Sequence, residues 1–198
     1  MRFRLLVCIQ LAIAALLAMP VSHAFAQREY LNIGDQPGIM PESEDPPPEF
    51  QRAVVSYRTN ETPGTIIVHT AERFLYVIQP GGRALRYGIG VGRDGFQWQG
   101  LQKISRKTEW PDSTPPPEMI ERQPYLPRLM AGGPGNPMGA RALYLGATVY
   151  RIHGTNQPQT IGSAVSSGCF RLVNNDVMDL YERIPVGTKV IVRQKPEL

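Results

Sequence analysis

Three runs decide how this chain folds: Thr65-Ile66-Ile67-Val68-His69-Thr70, Phe74-Leu75-Tyr76-Val77-Ile78-Gln79 and Ala84-Leu85-Arg86-Tyr87-Gly88-Ile89-Gly90-Val91-Gly92. Each is short and rich in β-branched or aromatic residues, and Pro80-Gly81-Gly82 separates the second from the third as a turn. They predict a meander of three strands. Downstream, the stretch 93–139 is broken by Thr114-Pro115-Pro116-Pro117 and Gly132-Gly133-Pro134-Gly135-Asn136-Pro137, which predicts long loops around one strand at 102–108. Ala142-Leu143-Tyr144-Leu145, Thr148-Val149-Tyr150-Arg151-Ile152 and Thr188-Lys189-Val190-Ile191-Val192 read as further strands. Asn174-Asn175-Asp176 offers N-cap chemistry to one short helix through Arg183, with Val177, Leu180 and Tyr181 on one face and Pro185-Val186-Gly187 ending it.

The fold expected is therefore mainly β: a β-sandwich or barrel-like sheet with one short helix and long Gly/Pro-rich loops. With 19 glycines and 19 prolines in 198 residues, an all-helical bundle is excluded. The length suits one core, placed at 64–193 with a short tail at 194–198. Before it, residues 27–63 hold no sustained apolar period and include the acidic run Pro41-Glu42-Ser43-Glu44-Asp45-Pro46-Pro47-Pro48-Glu49, which reads as a flexible spacer.

Residues 1–26 have the form of a cleaved secretory signal. Arg2 and Arg4 precede an apolar stretch that Pro20 closes, and Ala24-Phe25-Ala26 has the small-x-small form of a cleavage site. The apolar stretch is shorter than the ~20 residues that cross a bilayer. An exported chain without a transmembrane segment in its mature form is expected. The net charge of +4, from 21 basic and 17 acidic residues, contains no Lys/Arg run that would track phosphates, so nucleic acid is excluded as a partner.

Cys8 would leave with the signal, so Cys169 would be the one cysteine of the exported chain and would have no partner for a disulfide. It is either inert core or kept for reactivity. His153 closes a predicted strand in Ile152-His153-Gly154-Thr155, and Cys169 follows in Ser166-Ser167-Gly168-Cys169-Phe170-Arg171-Leu172 just before the helix. A thiol attacks as thiolate, which a neighbouring imidazole supplies by taking its proton and lowering the thiol pKa. Gly168 permits a tight turn, and the N–H groups of Gly168 and Cys169 can then face an oxyanion. Arg171 falls on the same side as Cys169 in an extended segment and can hold a substrate carboxylate. Residue types alone leave open that Cys169 packs as core beside Phe170 and Leu172. His69, in an apolar strand, reads as a satisfied structural histidine. Too few ligands stand at metal-binding spacings, so no metal is expected.

His153-Gly154-Thr155 with Ser166-Ser167-Gly168-Cys169-Phe170-Arg171-Leu172, then Asn174 and Asp176, resembles the signature of the L,D-transpeptidases with a YkuD-type catalytic domain. Arg73-Phe74-Leu75-Tyr76, Tyr87-Gly88-Ile89-Gly90-Val91-Gly92 and the stretch from Gly132 to Leu145 agree with it in order. The resemblance implies Cys169 as nucleophile, His153 as general base and the Gly154 carbonyl as the acceptor that orients the imidazole. It implies a cofactor-free acyl transfer in the periplasm, on peptidoglycan stem peptides as donor and acceptor. D-alanine leaves a tetrapeptide stem and a diaminopimelate–diaminopimelate crosslink forms. Water, or an amine of an outer-membrane protein or lipoprotein, is the alternative acceptor, and a non-catalytic wall-binding module is the alternative of another class. Ser167, where many members carry His, and Arg171 are assigned to substrate binding. Trp98-Gln99-Gly100 stands where members often show Thr-Pro-x-Gly.

Overall fold

Apolar residues at every second position need a sheet with a covered face, and the computed structural model, which describes residues 45–194, supplies it. Strands β1 (Ala53–Ser56), β2 (Ile66–His69), β3 (Phe74–Gln79), β4 (Arg83–Gly88), β5 (Val91–Gly92) and β6 (Gly100–Glu109) come first. Helix α1 (Pro117–Arg122), β7 (Arg141–Leu145), β8 (Arg151–His153), β9 (Ala164–Ser166), β10 (Phe170–Arg171), helix α2 (Asn174–Arg183) and β11 (Lys189–Arg193) follow. Nine strands form one sheet in the order β1-β4-β3-β2-β11-β6-β7-β8-β10, and β5 pairs with β9 separately.

The expected meander is present as β2, β3 and β4, paired antiparallel, with Ile66 opposite Val77 and Leu75 opposite Tyr87. Alternation sends Ile66, Val68, Leu75, Val77, Leu85 and Tyr87 into the main core, and Ile67, Tyr76, Ile78 and Ala84 into a smaller cluster. Long strand β6 joins two halves of the sheet: its start pairs with β11 and its remainder with β7, with an irregular register between Ile104 and Arg106. Such an irregularity bends a strand. The β7-β8-β10 half and the β2-β3-β4 half therefore share one core, into which α2 sends Val177 and Leu180. This is the mainly-β, sandwich-like arrangement expected from the sequence.

Four local features differ from expectation, the first being that the strand read at 148–152 begins only at Arg151, after a turn. The stretch 93–139 also contains α1, entered through Pro116 and Pro117, where proline's fixed φ suits a first helical turn. The N-cap of α2 is Val173 without a side-chain cap, because Asn174 Oδ1 instead accepts the Ala140 N–H at 2.9 Å. The spacer read at 27–63 is structured in its last part. A 3-10 turn at Pro48–Phe50 leads into β1, which pairs antiparallel with β4 at the sheet edge. Phe50 lies so close over Gly88 that a Cβ there would stand 2.4 Å from the Phe50 Cβ, and its ring meets Phe74 at 5.3 Å. Arg52 reaches across to α2, with Nη1 2.8 Å from Asp179 Oδ2. Burial alone would raise the Asp179 pKa, but hydrogen bonds from Arg183 and Tyr87 and the Arg52 charge hold it down at about 2. The segments 1–26, 27–44 and 195–198, which include the signal reading, lie outside the described residues.

Phe50→Ala should lower the free energy of unfolding by roughly 2 kcal/mol, about half the cost of emptying a fully buried aromatic site. Urea denaturation of the full chain checks this, and an unchanged midpoint would show that the segment before β1 does not brace the sheet.

Candidate active site

Strands β8 and β10 pair in parallel, Phe170 opposite Ile152 and Arg171 opposite His153, and the Leu172 N–H donates to the His153 carbonyl at 2.9 Å. Side chains alternate along both strands. Ile152, Phe170 and Leu172 accordingly point inward and are buried to 1% exposure or less. Arg151 and His153 of β8, with Arg171 and the preceding Cys169, share the opposite face. Of the residues the sequence reading grouped, the structure pairs Arg171 with His153 and sets Cys169 two residues before Arg171.

His153 Nδ1 lies 2.6 Å from the Gly154 carbonyl oxygen. A carbonyl only accepts, so the ring hydrogen is on Nδ1 and Nε2 keeps a lone pair. Burial pushes the His153 pKa down to about 3, and the Arg171 and Arg151 charges act in the same sense, while the Gly154 and Met138 carbonyls oppose them. Burial also pushes the Cys169 thiol up, against a backbone hydrogen bond from Arg151 and the charges of Arg151 and Arg171. Both groups are thus neutral near pH 7. The thiolate expected from imidazole pairing is not the resting form, because burial disfavours the charged form of each group.

Cys169 is partly exposed and sits in the turn between β9 and β10. Gly168 has φ 109°, and a Cβ there would come within 2.5 Å of the Tyr150 ring, so both its conformation and its crowding call for glycine. The Ser166 hydroxyl accepts the Gly168 N–H at 3.1 Å and donates to the Cys169 carbonyl at 2.6 Å. The Gly168 N–H expected to face an oxyanion is therefore engaged within the turn. No hydrogen bond holds the Cys169 N–H among the described residues. Ser167 Oγ is buried without a hydrogen-bond partner among the described residues. Arg171 is 7% exposed, and its charge bears on both Cys169 and His153.

Three neighbours escaped the sequence reading. Arg151 was legible in principle, since strand alternation places it on the His153 face. Trp98 and Tyr150 were not: Trp98 lies in the loop after β5, and only folding stacks it on Tyr150, ring centroids 4.6 Å apart. His69 is separated from β8 by β11, β6 and β7, and its Nε2 lies 2.7 Å from the Tyr57 hydroxyl, as suits a structural histidine.

Residues 63–192 match the L,D-transpeptidase catalytic domain known as YkuD. Over 140 residues the chain is 39% identical to the probable L,D-transpeptidase ErfK/SrfK of Escherichia coli strain K12, covering 66% of this chain and 44% of that one. The chain spans less than half the length of the E. coli relatives it matches. A crystal structure from Brucella melitensis, described as a probable carnitine operon oxidoreductase, is 50% identical with a TM-score of 0.51, covering 74% of this chain and 96% of that one. An L,D-transpeptidase from Mycobacterium smegmatis, 17% identical with a TM-score of 0.51 over 65% of this chain and 58% of that one, shares the fold.

The charge states give a pH prediction. Alkylation of Cys169 by iodoacetamide should rise steadily from pH 5 to 8 without a plateau, because thiolate must be drawn from a thiol whose pKa is raised. A rate already flat across that range would mean a preformed thiolate–imidazolium pair and contradict the neutral resting state.

Proposed function

We propose that this chain, which belongs to the L,D-transpeptidase family through its YkuD-type catalytic domain, works by a Cys169 acyl-enzyme. It transfers the acyl group of a peptidoglycan tetrapeptide stem to the amine of a second stem. The observation that carries this reading is the pairing of β8 with β10, which sets His153, its tautomer fixed by the Gly154 carbonyl, opposite Arg171, two residues after Cys169 at the entrance to β10. It favours a working site over a wall-binding module, in which such a pair has no task.

His153 Nε2 takes the thiol proton as Sγ attacks the carbonyl carbon, and the oxygen of the tetrahedral adduct collects negative charge. The Cys169 N–H faces that oxygen. The imidazolium then gives its proton to the nitrogen of departing D-alanine as the C–N bond breaks, leaving the thioester. The incoming amine loses a proton to His153, a new C–N bond forms, and the returning thiolate is reprotonated. Burial and two guanidinium groups make the imidazolium a strong acid, which suits the proton donation and opposes the proton uptake. A substrate carboxylate near Arg171 offsets that cation and so raises the basicity of His153 when substrate is bound.

The product of this reading is a diaminopimelate–diaminopimelate, or 3-3, crosslink. Ser167 and Arg171 act on the substrate side, and the reaction takes place in the periplasm after export. Water as acceptor would make the same acyl-enzyme a carboxypeptidase, and a protein amine would make it an anchoring enzyme.

Mass spectrometry of muramidase-digested cell wall treated with the chain should show new 3-3 dimers. Trimmed monomers alone would transfer the assignment to hydrolysis. His153→Gln should reduce either product by about 10²–10⁴-fold, the usual size of a general-base contribution, without changing the thermal midpoint.

A further inference from the structure

We propose that Trp98 is a positioning residue that aims the Cys169 N–H at the oxyanion, a role that rests on Cys169 being the nucleophile. The Trp98 indole N–H donates to the Gly168 carbonyl at 2.9 Å. That carbonyl and the Cys169 N–H belong to one peptide unit, which is planar and trans, so they point in opposite directions. Fixing the carbonyl fixes the N–H. The two neighbouring peptide units are held otherwise, by Ser166 Oγ on the Gly168 N–H and on the Cys169 carbonyl. Trp98 supplies the hydrogen bond that orients the remaining, central unit.

The indole is itself well braced. It stacks on Tyr150 at an interplanar angle of 11° and rests against Phe170 at 5.5 Å, and Phe170 is 1% exposed. Tyr150 also presses on Gly168, since a Cβ there would enter its ring. Gly168 alone, at φ 109°, is free to rotate its peptide unit. An aromatic clamp removes that freedom before substrate arrives. Because the Gly168 N–H is engaged by Ser166, the Cys169 N–H carries the backbone share of oxyanion stabilisation at this turn, and its direction matters correspondingly.

Two probes separate aiming from reactivity. Iodoacetamide alkylates the thiolate by displacing iodide and forms no oxyanion. Acyl transfer from p-nitrophenyl acetate to Cys169 passes through a tetrahedral oxyanion and releases p-nitrophenolate. Trp98→Phe keeps an aromatic ring between Tyr150 and Phe170 and deletes the N–H. It should slow the acylation burst at least about tenfold, short of the ~10²–10³ cost of removing an oxyanion donor outright, and leave the alkylation rate within about twofold. Equal losses in both reactions, or no loss in either, would overturn the aiming role. Should Trp98→Phe unfold, 3-benzothienylalanine at position 98 keeps the fused rings without the N–H and carries the same expectation. An unaltered chain that gives no burst, or one that persists in Cys169→Ser, overturns the nucleophile assignment itself.

Discussion

The parallel pairing of β8 and β10 is the constraint on which the site depends. It spans only two residues on each strand, yet it sets His153 beside Arg171 and brings Cys169 to the same face. Its register is enforced from behind by the core, where Ile152, Phe170 and Leu172 are sealed against the rest of the sheet. A slip of one residue would turn Cys169 inward and Phe170 outward, losing the burial of a whole aromatic side chain. The hydrophobic effect thus fixes the geometry of a polar site. The irregularity in β6 contributes at longer range, because it lets β7, β8 and β10 fold over the same core as the meander.

Burial has a second consequence at the site. A desolvated imidazole resists protonation and a desolvated thiol resists ionisation, and the cations Arg151 and Arg171 help only the thiolate. The resting pair stays neutral, which protects the Cys169 thiol from oxidation, since the thiolate is the reactive form. Charge appears as the thiol attacks, when a developing oxyanion and a substrate carboxylate share the field of the guanidinium groups.

Much of this was legible in the sequence, and the exceptions have physical causes. Strands with β-branched runs announced themselves by alternation, and α2 by its apolar spacing. The edge strand β1 did not, because Ala53-Val54-Val55-Ser56 is short and only half-buried, with Val54 exposed. Phe50 owes its docking to two distant glycines, Gly88 and Gly162, whose lack of side chains makes room for it. Asn174 looked like a helix cap, but it serves a tertiary partner, Ala140. Cys169, His153 and the Gly154 carbonyl are neighbours along local segments that a motif captures. The competition of Ser166 for the Gly168 N–H and the reach of Trp98 across to Gly168 arise only when separate segments meet.

The proposed acyl transfer rests on covalent chemistry at one atom. Intact-mass and peptide-mapping mass spectrometry of the chain, quenched in acid during turnover of a purified tetrapeptide stem, reads that atom directly. A Cys169 acyl-enzyme gives a mass gain equal to the stem less D-alanine, located on the peptide bearing Cys169 and released by hydroxylamine as a thioester is. Turnover of the stem with the adduct on another residue, or with Cys169→Ser still active, would contradict it.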